Sequence, residues 1–314
     1  MRITNGTLVR TFLNNLNQNR KNMSTYQEQL SSGTNFSRPS DNPFGVVKSM
    51  GLNTSINRNT QYARTIEDST GWLNTTDDSL GQINDSMQRI RELLVRGSNG
   101  TNTQEERDAI RVEVGQRIEE IAQSGNATYG DRYIFAGTNT INPPFKSDGN
   151  GDLAATGLIT STPVAAPLST FTDINREIAP NVVLKINVSK NDLLNGGGSG
   201  GTVDLKDTLS KILTALGPSG DVSQLGGSLL QGMQDNINNV LKLRAEVGAK
   251  QNRMDSAGAK NEEESYNMTE TLSKTQDIDI AEKTMEYKVA ETVYQASLMV
   301  GAKIIQPSLL DFLR

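Results

Sequence analysis

The segment IEDSTGWLNTTDDSLGQINDSMQRIRELL, from Ile66 to Leu94, decides the fold of this 314-residue chain. Its apolar residues recur every seven positions, with polar and charged residues between them. Such a repeat is typical of long α-helices that pack lengthwise against other helices. The segment therefore predicts one long, coiled-coil-like helix with two apolar series on its buried face: Ile66, Leu73, Leu80, Met87 and Leu94, and Tyr62, Ile83 and Ile90.

The nine prolines separate helical from non-helical regions. None lies between Pro43 and Pro143, or between Pro218 and Pro307, so long helices fit in these two stretches. The T-x-x-E pattern from Thr103 to Glu106 predicts a capping box at the start of another helix. Helical spacing continues in three further series: Ile110, Val114, Ile118 and Ile121; Leu230, Met233, Ile237, Val240, Val247 and Met254; and Ile278, Ala281, Met285, Val289, Val293, Ala296, Val300 and Ile304.

The central region has a different pattern, with clustered glycines and prolines. VVLKINV, Val182 to Val188, is rich in β-branched residues and predicts a strand, and RYIFAGT (132–138) and GLITST (157–162) are weaker strand candidates. The predicted fold is therefore mainly α with an inserted small β-containing domain. Three domains are expected: a terminal-helix assembly domain (1–42 plus 276–314), a long-helix bundle (43–134 plus 228–275) and an outer β-rich inserted domain (135–227).

Composition narrows the possible functions. The chain has no Cys and no His and a net charge of -5. Disulfides, thiolate nucleophiles and histidine-based catalysis or metal binding are therefore excluded. The acidic balance argues against nucleic acid as a partner. The sequence contains no apolar run long enough to span a membrane and no visible Sec-type signal peptide, so no membrane partner is expected.

Four features suggest chemistry only weakly. Gly196, Gly198 and Gly201 match G-x-G-x-x-G, but they lie within GGGSGG and predict a flexible loop. The run 148–152 begins like a calcium-binding loop but lacks its later Gly and Glu, so a turn is favoured. The acidic run 262–264 is interpreted as a solvated helix face, and Trp72 as a packing residue. We therefore expect no enzyme activity and no cofactor.

The two ends of the chain carry apolar helical faces with little else to cover them. We expect them to pair as antiparallel helices, since residues 2–30 are net basic and residues 270–314 net acidic. One partner helix buries only part of their apolar surface, so neighbouring subunits are expected to cover the rest. The predicted assembly interface consists of Val9, Phe12, Leu13, Leu16, Met23, Tyr26, Leu30, Met285, Val289, Val293, Val300, Ile304, Leu309, Leu310, Phe312 and Leu313.

A predicted hinge, LSSGTNFSRPSDNP (30–43), separates the first helix from the long one. Gly33 suits the left-handed conformation that ends a helix, and Pro39 disfavours a helical conformation at the residue before it. Asp41, or its neighbour on either side, is expected to cap the next helix, with Pro43 in the first turn. A second capping pattern starts at Asp279.

Several of these segments resemble the flagellin family. LSSGTNFSRPSDNPFG (30–45) is similar to its N-terminal signature, and LNTTDDSLGQINDSMQRIRELLVRGSNGT (73–101) to its first long helix. RAEVGAKQNRMDSA (244–257) and residues 277–314 resemble the matching C-terminal helices. Within the family, the ending GAKIIQPSLLDFL and the segment RYIFAGTNTINPPF resemble the hook–filament junction branch, the hook-associated protein 3 type.

The resemblance implies a flagellin-like architecture and a structural role. Copies would form a helical layer with one another, joining the hook, through hook-associated protein 1, to a filament of flagellin. An export chaperone of the flagellar type III system would be a further partner, and the location would be extracellular. Two alternatives remain: a flagellin filament subunit, and, with less support, a coiled-coil adhesin or signalling module.

Overall fold

The computed structural model describes residues 5–100, 102–147, 153–155, 173–194, 204–218 and 220–305. Long helices dominate this part of the chain, as the heptad patterns predict. The helices are α1 (Asn5–Ser32), α2 (Pro43–Gly97), α3 (Gln104–Gly125), α4 (Lys190–Leu194), α5 (Leu205–Ala215), α6 (Ser228–Gln276) and α7 (Ile280–Ile305). The strands are β1 (Thr128–Tyr129), β2 (Arg132–Tyr133), β3 (Phe145–Ser147), β4 (Leu153–Ala155), β5 (Asn175–Ala179) and β6 (Val182–Lys185).

The chain folds as two compact units. The first joins Met1–Arg58 to Glu264–Arg314, and the second is Asn59–Glu263. Both boundaries fall inside the long helices α2 and α6. The division into three domains expected from the sequence stays a prediction.

The core of the second unit is the heptad seam of α2. Leu73, Leu80, Ile83, Met87 and Ile90 are fully buried there, in one cluster with the apolar residues of α3 and α6. The predicted capping box starts α3, because the Thr103 hydroxyl accepts from the backbone N–H of Glu106, whose carboxylate accepts from the Thr103 N–H. The α6 side of the cluster includes Met233, Ile237, Val240, Val247 and Met254.

A hydrogen-bonded asparagine pair joins the two long helices near the end of the second unit. Asn59 Nδ2 donates to the carbonyl oxygen of Asn261 at 2.7 Å, and Asn261 Nδ2 donates to Asn59 Oδ1 at 2.6 Å. Both side chains are buried. A buried polar pair of this kind fixes the register of two packed helices, since any shift along the axis leaves its groups without partners.

The β structure consists of short antiparallel hairpins, β1–β2, β3–β4 and β5–β6. Gly130 and Asp131 join β1 to β2, both with positive φ, which is the backbone of a type I′ turn. VVLKINV supplies β6, although the strand ends at Lys185, and RYIFAGT contributes only the two residues of β2. The candidate strand 157–162, the glycine run 196–201 and the acidic run 148–152 lie outside the described residues.

Helix α5 is absent from the sequence expectations. Asp204 caps it by accepting from the N–H of Lys206, and Leu205, Leu209 and Ile212 are buried in the core of the second unit. Trp72 packs in the same core, edge-on to the ring of Tyr129 at 6.2 Å between centroids. The packing role expected for this tryptophan is therefore observed.

Candidate functional site

Helices α1 and α7 pack against each other in the first unit. Three contacts show the direction of the pair. Just outside the helices, Thr34 and Asp277 form an antiparallel β-bridge. Within them, Lys283 lies over the ring of Tyr26, and Phe12 packs against Gly301. Later residues of α1 thus meet earlier residues of α7. The pair is antiparallel, as the opposite net charges of the two ends suggest.

Most of the predicted interface residues of α1 face its partner helix. They repeat at three-, four- and seven-residue spacing and are half-buried, whereas Leu13 is 44% exposed and Leu8, also on α1, is 45% exposed. The first helix therefore uses one apolar face within the chain and leaves a narrow edge open. The half-buried set is Val9, Phe12, Leu16, Met23, Tyr26 and Leu30.

Helix α7 contacts α1 through a face that the sequence analysis did not identify. Its half-buried positions carry small, aromatic and charged side chains, among them Ala290, Tyr294 and Ser297. At Gly301, which is buried, an added Cβ would collide with the Phe12 ring. The glycine therefore permits the close approach of the two helices.

The apolar series predicted for α7 lies on an exposed face of the helix. Met285 is 66% exposed, Val289 58%, Val293 44% and Val300 53%. No described residue of the chain covers this surface, which we call the α7 stripe and define by these four residues. The backbone of Ile304 belongs to α7, whereas Leu309, Leu310, Phe312 and Leu313 lie outside the described residues.

A groove of about 460 Å³ runs between the two helices, and three of the four residues of the α7 stripe line it. Charged and polar groups mark its edges: Lys283 pairs with Glu286 at 2.7 Å and lies 5.6 Å from the centroid of the Tyr26 ring. The hydrogen bond to Glu286 raises the pKa of Lys283, so its ammonium is charged at neutral pH. The groove is lined by Asn19, Asn22, Tyr26, Glu282, Met285, Glu286, Val289, Ala290 and Val293.

The predicted hinge has the local geometry expected of it at both ends. Gly33 has φ of 72° and its N–H donates to the carbonyl of Gln29, which ends α1. Asn42 caps α2, since its Oδ1 accepts from the N–H of Gly45 at 2.9 Å, and Pro43 is the first helical residue. Asp41 does not cap this helix; its carboxylate binds a backbone N–H within the hinge.

Two contacts fold the middle of the hinge. The carboxylate of Asp41 accepts from the backbone N–H of Arg38, which holds the turn around Pro39. Phe36 is buried, and a Cβ at Gly45 would come within 2.8 Å of its ring. The hinge is thus a folded connection with its own small apolar contact.

A second connection, between α6 and α7, is hydrogen-bonded to this hinge. The Asn35 N–H donates to the carbonyl of Gln276 at 2.7 Å, and the Ile278 N–H donates to the carbonyl of Gly33 at 3.3 Å. The Asp279 carboxylate caps α7, accepting from two backbone N–H groups. The cap was expected from the sequence, whereas the pairing of the two connections was not.

The start of α2 presents a further apolar surface that the sequence analysis missed. Phe44 is 81% exposed, Val47 70% and Met50 65%. They lie three residues apart on the side of the helix opposite buried Gly45 and Ser49. We call these three residues the α2 patch. Their three-residue spacing is the sequence feature from which this apolar surface could have been predicted.

These surfaces suit protein–protein contact. Among the residues that the structure describes, no group of three acidic side chains is placed to hold a metal ion. No helix in the same part of the chain is long and apolar enough to cross a bilayer. Exposed apolar helix faces of this kind mark interaction sites. The fold and its surfaces define a mainly α-helical structural subunit with uncovered apolar helix faces.

Comparisons with known proteins give the family. The bacterial flagellin N-terminal helical region matches residues 4–140, and the C-terminal helical region matches residues 230–313. Together these ranges cover more than half of the chain. The chain belongs to the flagellin family and is a flagellar structural protein.

Individual relatives are of two types. Flagellar hook-associated protein 3 of Escherichia coli (strain K12) is 24% identical over 281 residues, which cover 87% of each chain. A flagellin of Salmonella muenchen is 35% identical over 129 residues, 41% of this chain and 26% of that one. The solved structure of a flagellar hook-associated protein from Vibrio parahaemolyticus is 20% identical, with a TM-score of 0.62, covering 76% of this chain and 100% of that one.

Proposed function

We propose that the chain is a structural subunit of the hook–filament junction of the bacterial flagellum, and that it assembles through its terminal helices. The observation that carries the assembly mechanism is the α7 stripe, an apolar series on a helix whose contact with α1 uses another face. Covering the exposed part of each side chain contributes about 1 kcal/mol, so several copies of this contact stabilise a layer.

The extent of similarity favours the junction over the filament. The hook-associated protein 3 relative aligns along 87% of both chains, whereas the Salmonella flagellin aligns along 26% of its own length. Local identity is higher to the flagellin, at 35% against 24%. We give more weight to the coverage, because the helical segments are shared by the whole family. A flagellin filament subunit is the second candidate, and the higher local identity is what favours it.

The role implies particular partners. Hook-associated protein 1 would lie on the hook side and flagellin on the filament side, with copies of this chain between them. The chain would be exported to the cell exterior through the flagellar type III path, with an export chaperone and without a Sec signal. A chain whose terminal helices become fully buried only in the assembly suits passage as an unfolded polypeptide.

Deletion of the gene tests the function. We expect hooks without attached filaments and flagellin monomer released into the medium, scored by electron microscopy and by immunoblotting of the culture supernatant. Normal filaments on the deletion strain would contradict the proposed function. Unlimited growth of the purified chain into long filaments, seeded on filament fragments, would favour the flagellin alternative instead.

Complementation of that strain tests the α7 stripe. Val289→Asp places a charge on the stripe and should fail to restore filaments, because the burial of an unpaired carboxylate is unfavourable. Gln295→Asp is the matched control, an exposed position on another face of the same helix, and should restore motility. Equal restoration by both variants at equal secreted levels would show that the stripe is not an assembly surface.

A further inference from the structure

The α2 patch is a strongly exposed apolar cluster on a helix of the first unit. Its three residues are 65–81% exposed, while the opposite side of the same helix is buried. Nothing in the described part of the chain covers it. An exposed cluster of large apolar side chains on one helix face indicates a contact with another molecule.

The segment that carries the α2 patch and the segment that contains the start of the α7 stripe have net charges of opposite sign. The segment 43–58 carries two basic residues, Lys48 and Arg58, and no acidic one. The segment 277–291, which contains the start of the stripe, carries five acidic and two basic residues. Glu282 and Glu286 line the groove beside the stripe. The two surfaces are therefore complementary in charge as well as apolar.

We propose that the α2 patch of one copy docks against the α7 stripe and its adjoining groove on a second copy. The inference rests on the proposed function and names the surfaces that meet. It commits to a second copy because the chain itself carries both complementary surfaces, and both belong to the first unit.

The same charges disfavour symmetric pairing. Two patches facing each other would bring Lys48 and Arg58 of both copies together, and two stripes would bring two net-acidic segments together. Like charges across an interface oppose association. A contact between two different surfaces repeats from copy to copy, generating a ring or a helical array. This is the geometry that a helical layer of copies requires.

Cysteine cross-linking tests the docking without interference, since the chain has no native cysteine. Two single variants are prepared, Val47→Cys with an affinity tag and Val289→Cys without one. They are mixed, assembled in concentrated ammonium sulfate, oxidised, and separated on a non-reducing gel. A disulfide forms only where two Cα atoms approach within about 7 Å. Sedimentation before oxidation measures assembly of each variant and of the unsubstituted chain.

The mixed dimer of the two variants is expected as the main cross-linked product. The pair Val47→Cys with Gln295→Cys is the matched control and should give little, because residue 295 faces away from the stripe. Assembly without the mixed dimer, or with Val47→Cys homodimers in its place, would overturn the docking while leaving the proposed function intact. Failure of the unsubstituted chain to assemble would contradict both.

Two competing contacts are also tested. In one, the α2 patch docks on the α7 stripe of its own chain; in the other, the stripe is covered by α1 of a neighbouring copy. A double variant, Val47→Cys with Val289→Cys, is oxidised at high dilution, and an intrachain disulfide there would overturn the docking. Leu13→Cys replaces Val47→Cys in a second mixture, since Leu13 is the exposed interface residue of α1. If Val289→Cys cross-links to Leu13→Cys and not to Val47→Cys, the docking is likewise overturned. Absence of both the intrachain disulfide and the Leu13→Cys product supports the docking.

Discussion

The seam of α2 and the stripe of α7 are built from the same kind of apolar repeat but end in different environments. In the second unit Leu73, Leu80 and Met87 are fully buried, while in the first unit Met285 and Val289 are more than half exposed. The difference shows that the apolar repeat predicts a helix and a face that packs against a partner. It does not say whether the partner is in the same chain or in another copy.

Truncation of the α2 seam should have the largest effect. Leu80→Ala removes a fully buried side chain and should lower the free energy of unfolding by about 2–5 kcal/mol. Val289→Ala removes a side chain that is 58% exposed and should change it by less than about 0.5 kcal/mol. Chemical denaturation of the isolated chain measures both. Similar losses would mean that the stripe is part of the chain's own core.

Breaking the asparagine pair should have a smaller effect on the same unit. Asn261→Ala removes the amide that donates to Asn59 Oδ1, leaves that buried oxygen without its donor, and should cost about 1–3 kcal/mol. Replacing both with Leu removes both polar groups and should restore most of that stability. Denaturation curves of the two variants measure the difference in free energy of unfolding. A double variant as unstable as the single one would contradict the view that the cost comes from an unpaired buried polar group.

The α1–α7 pair should respond least. Gly301→Ala places a Cβ against the Phe12 ring and should destabilise the pair by about 1 kcal/mol. Gly51→Ala is the control, because open space surrounds that position, and helix propensity should stabilise it by up to about 1 kcal/mol. Amide hydrogen exchange in α1 and α7 measures the difference. Equal protection in both variants would show that Phe12 moves aside without cost.

Much of the helical framework is predictable from local sequence. The heptads of α2, the capping box at Thr103, the left-handed Gly33 and the cap at Asp279 are each set by neighbouring residues. Their physical causes operate within a few residues, so one sequence is sufficient to identify them.

Other features depend on distant residues and were missed. The face of α7 that meets α1 carries Ala290, Ser297 and Gly301, whose small size matters only because Phe12 lies opposite. The pairing of Asn35 with Gln276 is a backbone contact between segments far apart in the sequence. Contacts between such distant segments leave no local periodicity. Helix α5 is a different case: Leu205, Leu209 and Ile212 do follow helical spacing, but the helix is short and lies in a region whose glycines and prolines suggested strands and loops.

The central claim is that the second unit is complete by itself and the first unit is completed by other copies. Hydrogen exchange of the chain, compared between monomer and assembled layer, tests it most directly. We predict that protection rises in α1, α7 and residues 43–58 on assembly, while the seam from Ile66 to Leu94 is already protected in the monomer. Terminal helices as protected as that seam in the monomer, or unchanged on assembly, would contradict the account.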